Sequence, residues 1–379
     1  MPAHEIPGCR GDLSVMMPPA AKESALEQLV AAAIRAPSGD NRQPWRFILH
    51  RASHRIEVHV DEMRDSSPMN AGQCMSRIAC GAAIENIFQM AGARGWTATL
   101  ETQAGSPIAM VSLQGLTDDG RSPGRIEDLI ARRVVNRRLY DGRPASPELL
   151  ARLKSETPVL DDVSTHWIYG PERLSQLASV IGRADGLMYG EKPLRQAILS
   201  NVRFDAPHDA EVDDGLSVAS LEASAAELIA MRTMFQGPDW LFKLSGTPHI
   251  LGSRARKLVN SASGLCVVVI PAARSTPQFD LLAGRAMQRA WLALHAEGLA
   301  VQPMMSMLVL ENLLDHGSPE LMASLGRKRL LALRDEFRAL VPEVGGARPA
   351  FLMRFGFAPP PSGRTGRRPL SAVTTVVSY

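Results

Sequence analysis

Two stretches of this chain repeat one another, and the repeat dictates much of what the chain can fold into. Residues 76–92 carry a helical pattern that is apolar almost all round, with Gly81, Ala82 and Ala83 near its start. A helix apolar on every side is a buried one, and small residues let a second backbone come close. When Gly81 is set against Gly284, Ala83 falls on Ala286, Ile84 on Met287, Ile87 on Ala290, Phe88 on Trp291, Ala93 on Ala296 and Gly95 on Gly298. Strand-like runs precede the two helices at 55–60 and 265–270 and follow them at 108–113 and 350–355. The shared strand–helix–strand order predicts two similar halves, each with a buried central helix. Those helices would pack together across a pseudo-twofold axis, so that one chain imitates a homodimer. A length of 379 residues is enough for two such units, with an expected division into 1–120 and 121–379.

The halves have diverged. The first carries Ala36-Pro37-Ser38-Gly39-Asp40-Asn41-Arg42-Gln43-Pro44-Trp45-Arg46-Phe47, with a helical pattern at 22–35 running in and a strand at 46–50 running out. Such a turn leaves backbone N–H groups free for an anionic or polar heterocyclic ligand. Asn41 and Gln43 can each donate and accept at a flat ring edge. The same residues read equally well as a helix-to-strand turn with a buried tryptophan. The second half has no counterpart of this motif; it carries an arginine-dense run, Arg132 through Arg138, and a tail with Arg364, Arg367 and Arg368. On a helix over 126–138, Arg133 and Arg137 share a face. With Arg367 or Arg368 they could clamp a phosphate, because guanidinium forks match phosphate oxygens. The alternative for the run is a solvated basic patch. One ligand site per chain, assembled from both halves, is the expectation.

Elsewhere, Ser146 stands as N-cap before Pro147 at the start of a helix. A strand is expected at 164–169, helices at 172–183, 217–231 and 279–297, a non-helical loop at 301–305, and helical connection over 308–345. Residues 190–250 differ in character and read as a helical insertion, a candidate lid. They include His208, Asp209, Glu211, Asp213 and Asp214, which read as a solvated loop sooner than as a metal site.

Apolar and charged contents of 45% and 21% are ordinary for a globular protein. A formal charge of +3, spread along the chain, does not argue for nucleic acid. No apolar run reaches membrane-spanning length, and residues 1–20 lack the apolar core of a signal peptide. A cytoplasmic location is expected. Cys9, Cys74, Cys80 and Cys266 form no metal-binding spacing and are expected to be reduced packing residues. No nucleophile elbow, zinc-binding His-Glu-x-x-His, Walker loop or Gly-x-Gly-x-x-Gly is present. A phosphate-and-ring site without acid–base machinery points to chemistry carried by a cofactor.

The Ala-Pro-Ser-x-x-Asn-x-Gln-Pro-Trp-x-Phe string resembles that of the FMN-binding nitroreductase superfamily. The segment Arg132-Arg133-Val134-Val135-Asn136-Arg137-Arg138-Leu139-Tyr140 is similar to the family's Arg-Arg-Ser-x-Arg-x-Phe phosphate-binding stretch, with Val134 or Val135 in place of the serine. In the family's usual homodimers the arginine segment precedes the Pro-Ser motif, and each flavin lies between subunits. Here the segment follows the motif, which resembles the single-chain, duplicated branch typified by mycobacterial Acg-type proteins. The resemblance implies an α+β fold with mixed or antiparallel sheets flanked by helices, internally duplicated, and FMN as cofactor. It implies that Arg133 and Arg137, with Arg367 or Arg368, hold the phosphate. Pro37, Ser38, Gly39 and Asn41 would line the isoalloxazine and ribityl, Gln43 would line or position that turn, and Pro303 and Met304 would face the flavin N5 edge. Trp45 is assigned to the core. The implied activity is NAD(P)H-dependent reduction of nitroaromatic, quinone or similar acceptors by hydride transfer through N5, by a chain able to act as a monomer. The alternative is FMN sequestration beneath the lid.

Overall fold

The computed structural model describes residues 24–116, 124–207 and 211–377. Helix α1 (Ala25–Ala33) opens with a capping box in which the Ser24 hydroxyl accepts from the Glu27 N–H and the Glu27 carboxylate accepts from the Ser24 N–H. Strands β1 (Trp45–His50) and β2 (Arg55–Val60), helix α2 (Cys74–Ala93), and strands β3 (Thr97–Thr102) and β4 (Ala109–Gln114) follow. Next come α3 (Arg125–Arg132), α4 (Pro147–Glu156), with the Ser146 cap and Pro147 where expected, and β5 (Ser164–Ile168). A largely helical region contains α5 (Pro171–Gly190), α6 (Lys192–Ser200), β6 (Val202–Arg203), β7 (Leu216–Ser217), α7 (Ala225–Met234), α8 (Asp239–Leu244) and α9 (Thr247–Asn260). Then come β8 (Gly264–Ile270), α10 (Pro277–Ala296), β9 (Ala300–Pro303), α11 (Ser306–His316), α12 (Pro319–Leu325), α13 (Arg327–Leu340), β10 (Arg348–Gly356) and β11 (Thr374–Val377).

Two sheets share one connectivity. The first runs β11-β1-β2-β4-β3 and the second β5-β8-β10-β9. With β1, β2, β3 and β4 matched to β5, β8, β9 and β10, the spatial orders coincide and each neighbouring pair is antiparallel. The helix between the second and third strands is α2 in one set and α10 in the other. The tail crosses back: β11 adds to the first sheet, parallel to β1, with Phe47 opposite Thr374. Strand β8 is buried throughout. Its Cys266, Val268 and Ile270 join the core that contains α2 and α10, while Leu265, Val267 and Val269 face a second core built with α5, α11 and α13. A strand covered on both faces reads as a continuous apolar run.

Helices α2 and α10 pack at their glycines. A Cβ on Gly81 would lie 2.0 Å from the Leu281 carbonyl oxygen, and one on Gly284 would lie 2.0 Å from that of Ile78. The two contacts are reciprocal, each glycine meeting the residue three before the other, as a twofold relation requires. Gly95 and Gly298, which follow these helices, have φ of 75° and 74°. Polar groups pin the interface: buried Glu85 accepts from Arg285 Nε (3.0 Å) and Arg289 Nε (2.9 Å), and Gln288 Nε2 donates to Asn86 Oδ1 (2.7 Å).

Some local expectations are corrected. Helix α3 ends at the first residue of the arginine run, Arg132, and Arg133 is already extended at φ −54°, ψ 124°. The Asn136 N–H donates to the Val301 carbonyl (2.9 Å), which holds the run beside β9 and out of a helix. Of residues 301–305, expected as a non-helical loop, 301–303 belong to β9, paired to β10. The helix expected at 217–231 is a short strand and a 3-10 turn before α7, and the helix expected at 172–183 continues as α5 to Gly190. Strand β3 was not expected at all.

Candidate functional site

The turn after α1 holds three non-glycine residues with positive φ: Asp40 (45°), Asn41 (57°) and Gln43 (52°). Asp and Asn tolerate this region through local side-chain hydrogen bonds; glutamine does so only when its surroundings compel it. Here they do. The Gln43 N–H donates to Ser38 Oγ (2.9 Å), and Gln43 Nε2 donates to the Asn41 and Asp213 carbonyls (3.2 and 2.6 Å). Gln43 Oε1 accepts from the Arg368 N–H (3.0 Å). Asn41 Nδ2 donates to the Gly366 carbonyl (3.3 Å) and its Oδ1 accepts from Arg367 Nη1 (3.1 Å).

A cavity of about 450 Å³ lies above this turn, within the usual range for small-molecule sites. Pro37, Ser38, Gly39 and Asn41 form part of its wall, with Arg133, Arg137, Pro303, Met304 and Arg367. The structure thus brings together the turn, the arginine segment, the β9 end and the tail. Gln43 and Arg368 do not line it. Gln43 is buried and turned toward the tail, and the Arg368 guanidinium reaches the Ala372 carbonyl (3.0 Å) on the outside. Both hold the turn in place. Trp45 is fully buried in the core.

Arginines crowd one end of the cavity. Arg133 lies buried over the Trp291 ring, 4.8 Å from its centroid, and Nη2 donates to the Arg35 carbonyl (3.0 Å). Its Nε and Nη1 are buried without a hydrogen-bond partner. Burial first, and Arg367 and Arg364 second, push its pKa well below the ordinary value. Arg367 spends its fork on the carbonyls that end α1, donating Nε to Ile34 (2.7 Å) and Nη2 to Ala36 (3.0 Å). Burial, with Arg35 and Arg364 nearby, lowers its pKa to about 10. Arg137 Nη1 donates to the Ser220 carbonyl (2.8 Å). Among the described residues none of Arg133, Arg137, Arg364 and Arg367 forms an ion pair. Unpaired buried cations are costly, and an anion supplied by a ligand would satisfy the open Arg133 donors. The donor set fits a phosphate. Arg364 and Arg35 line this end as well and were not singled out as site residues.

The region expected as an insertion forms the roof, through Leu216, Ser220, Met231 and Phe235. It is fastened to the turn. Asn201 Nδ2 donates to Asp40 Oδ2 (3.0 Å), Arg42 Nη1 donates to Asn201 Oδ1 (2.9 Å), and Arg64 pairs with Asp214 (3.4 Å). Of the acidic cluster, Asp213 and Asp214 belong to this fastening, Glu211 lines the cavity, and His208 and Asp209 lie outside the described residues. Three further carboxyls line the cavity, those of Asp40, Asp65 and Asp185. Burial raises the Asp40 pKa against the Asn201 hydrogen bond, raises that of Asp65 against the Ser67 hydrogen bonds, and raises Asp185 to about 6. No sequence signal marks Asp185, which sits in an ordinary amphipathic helix. Cys74, Cys80 and Cys266 are free and buried; Cys9 lies outside the described residues.

No family model matches the chain. It is 28% identical over 367 residues to the uncharacterized protein MT1398 of Mycobacterium tuberculosis (strain CDC 1551 / Oshkosh), a match covering 94% of this chain and 49% of that protein. The chain therefore spans about half the length of this curated relative. Solved structures with some likeness include a nitroreductase-like family protein from Bacillus cereus, at TM-score 0.34 and 13% identity, covering 66% of this chain and 94% of that one. Another is the FMN-dependent nitroreductase NfnB from Mycobacterium smegmatis in complex with NADPH, at TM-score 0.37 and 17% identity, covering 66% and 96%. Among the described residues no helix is long and apolar enough to cross a membrane.

Proposed function

We propose that this chain is a nitroreductase-like flavoprotein that binds FMN in the cavity and reduces nitroaromatic, quinone or similar acceptors with NAD(P)H. The observation that carries the reading is Arg133: a buried guanidinium with two open donors at one end of a cavity whose other walls are a polar turn and an apolar strand end. When bound, FMN would supply hydride chemistry at its N5. The chain's own residues do the rest. Arg133, with Arg364 beside it, holds the phosphate, and Arg367 fixes the turn against the tail through Asn41. Pro37 to Asn41 line the ring and ribityl, and Pro303 and Met304 lie against the ring's reactive edge. In this reading residues 1–120 and 121–379 are duplicated halves that together make one site in a self-sufficient monomer, in the cytoplasm. The matched strand orders and the reciprocal glycines support the duplication.

A second reading, sequestration of FMN, is favoured by one specific observation: the roof is tied to the turn through Asn201 and Asp213, and to neighbouring Arg64 through Asp214. An absorbance spectrum comes first. A colourless protein that takes up no FMN rejects both readings. A yellow protein bleached anaerobically by excess NADH or NADPH supports the oxidoreductase; a yellow protein that resists bleaching supports sequestration.

A further inference from the structure

We propose that Asp185 is the proton donor to the electron acceptor in this cavity, delivering the proton that the acceptor takes up at oxygen. The proposal rests on the flavin reading above. Helix α5 sets Asp185 and Tyr189 one turn apart, and both line the cavity. Asp185 lies beside Ser306, the first residue of α11 and only two residues beyond Met304. It therefore stands next to the segment assigned to the ring's reactive edge. No arginine pairs with it among the described residues.

The charged groups around it are otherwise engaged. Arg254 of α9 pairs with Glu227 (2.8 Å), Arg137 donates to the Ser220 carbonyl, and Asp40 is held by Asn201. The Ser306 hydroxyl of α11 is buried without a hydrogen-bond partner, and Tyr189, pushed far up by burial, stays a neutral hydroxyl. Burial brings the carboxyl to about 6, the range in which a general acid both holds a proton and releases it.

The step balances. For a quinone acceptor, bound reduced FMN would supply two electrons and a proton as hydride. The quinone's second proton comes from Asp185, whose O–H bond breaks as the hydroquinone O–H forms. Water returns the proton to the carboxylate, and NAD(P)H is the net reductant.

The test uses FMN-loaded full-length protein and Asp185→Asn, reduced anaerobically and reoxidised by p-benzoquinone or by ferricyanide, which accepts an electron without a proton. The expected result is quinone reoxidation slowed on the order of 100-fold, with ferricyanide reoxidation unchanged. The wild-type quinone rate falls as pH rises through about 6, and the variant shows no such fall. Independently of turnover, a carboxylic-acid C=O infrared band titrating near pH 6 in the wild type is absent from the variant. Equal slowing with both acceptors, an unchanged quinone rate, or a band that titrates in the ordinary carboxylate range each overturns the proposal. Failure to take up FMN overturns the flavin reading and this step together; FMN uptake with an unchanged quinone rate overturns only the proton donor.

Discussion

Arg133 and Arg367 carry the same charge in the same corner, yet their open valences differ. Arg367 is saturated by carbonyls at the end of α1 and by Asn41, whereas Arg133 keeps two buried donors free. Charge-assisted hydrogen bonds contribute about 1.5–3 kcal/mol each, so Arg133→Ala is expected to weaken FMN binding by about 10- to 100-fold. Asn41→Ala acts through Arg367 and the tail and should weaken it less, by about 5- to 10-fold for the loss of roughly 1 kcal/mol. Fluorescence titration of both variants checks the order. A larger effect at Asn41 would show that the turn, and not the arginine, anchors the ligand. Asp185 gives a stability prediction. Its folded-state pKa of about 6 exceeds the ordinary 3.8, so the folded protein holds this proton more tightly than the unfolded chain. The stabilisation is complete below about pH 4 and is lost as pH rises through about 6. A shift of about two units is worth about 3 kcal/mol. Asp185→Asn should flatten the melting-temperature profile between pH 4 and 6 and raise the melting temperature at pH 7, read by calorimetry.

At the scale of elements, the contact between α2 and α10 tolerates no side chain. Gly81→Ala or Gly284→Ala drives a methyl to within 2.0 Å of a backbone carbonyl, which no rotamer change relieves. Each is expected to destabilise by more than about 3 kcal/mol, at or beyond the upper end of overpacking effects, measured by denaturant unfolding. Glu85→Ala strands Arg285 and Arg289 in the same interface. Breaking a buried charged network from one side costs about 3–5 kcal/mol, so this variant should be comparably damaged. These helices were legible because their pattern is local: small and apolar residues recur at the same offsets in both. Strand β3 was not, because Thr97 to Thr102 alternate between exposed and half-buried at a sheet edge and carry little apolar signal. The arginine run was misread for a different reason. Its helical spacing is real, but the Asn136 bond to Val301 and the end of α3 at Arg132 override it. Arg133 and Arg137 reach one cavity from an irregular, non-helical segment, and not from a shared helix face.

Across the whole molecule, the roof and the turn are held by a few polar contacts between segments far apart in the chain. Asn201→Ala combined with Asp214→Ala removes the ties to Asp40, Arg42 and Arg64. The doubly substituted protein should bleach faster with NADPH than the wild type under anaerobic stopped flow; an unchanged rate would mean that the roof does not control access. Much of this plan is written in local pattern. The repeated helices with their glycines, the Pro37–Asn41 turn, the buried run of β8 and the basic tail are all read from neighbouring residues, because helix period, strand burial and turn chemistry are short-range properties. What surrounds the cavity is not. That Gln43 and Arg368 brace the turn from behind, that Arg367 is satisfied while Arg133 is left open, that Asp213 and Asp214 fasten a roof, and that Asp185 meets Ser306 at the cavity wall all depend on which distant segments come together. A side chain's free donors, its burial and its proton affinity are set by those neighbours, and only the tertiary structure chooses them.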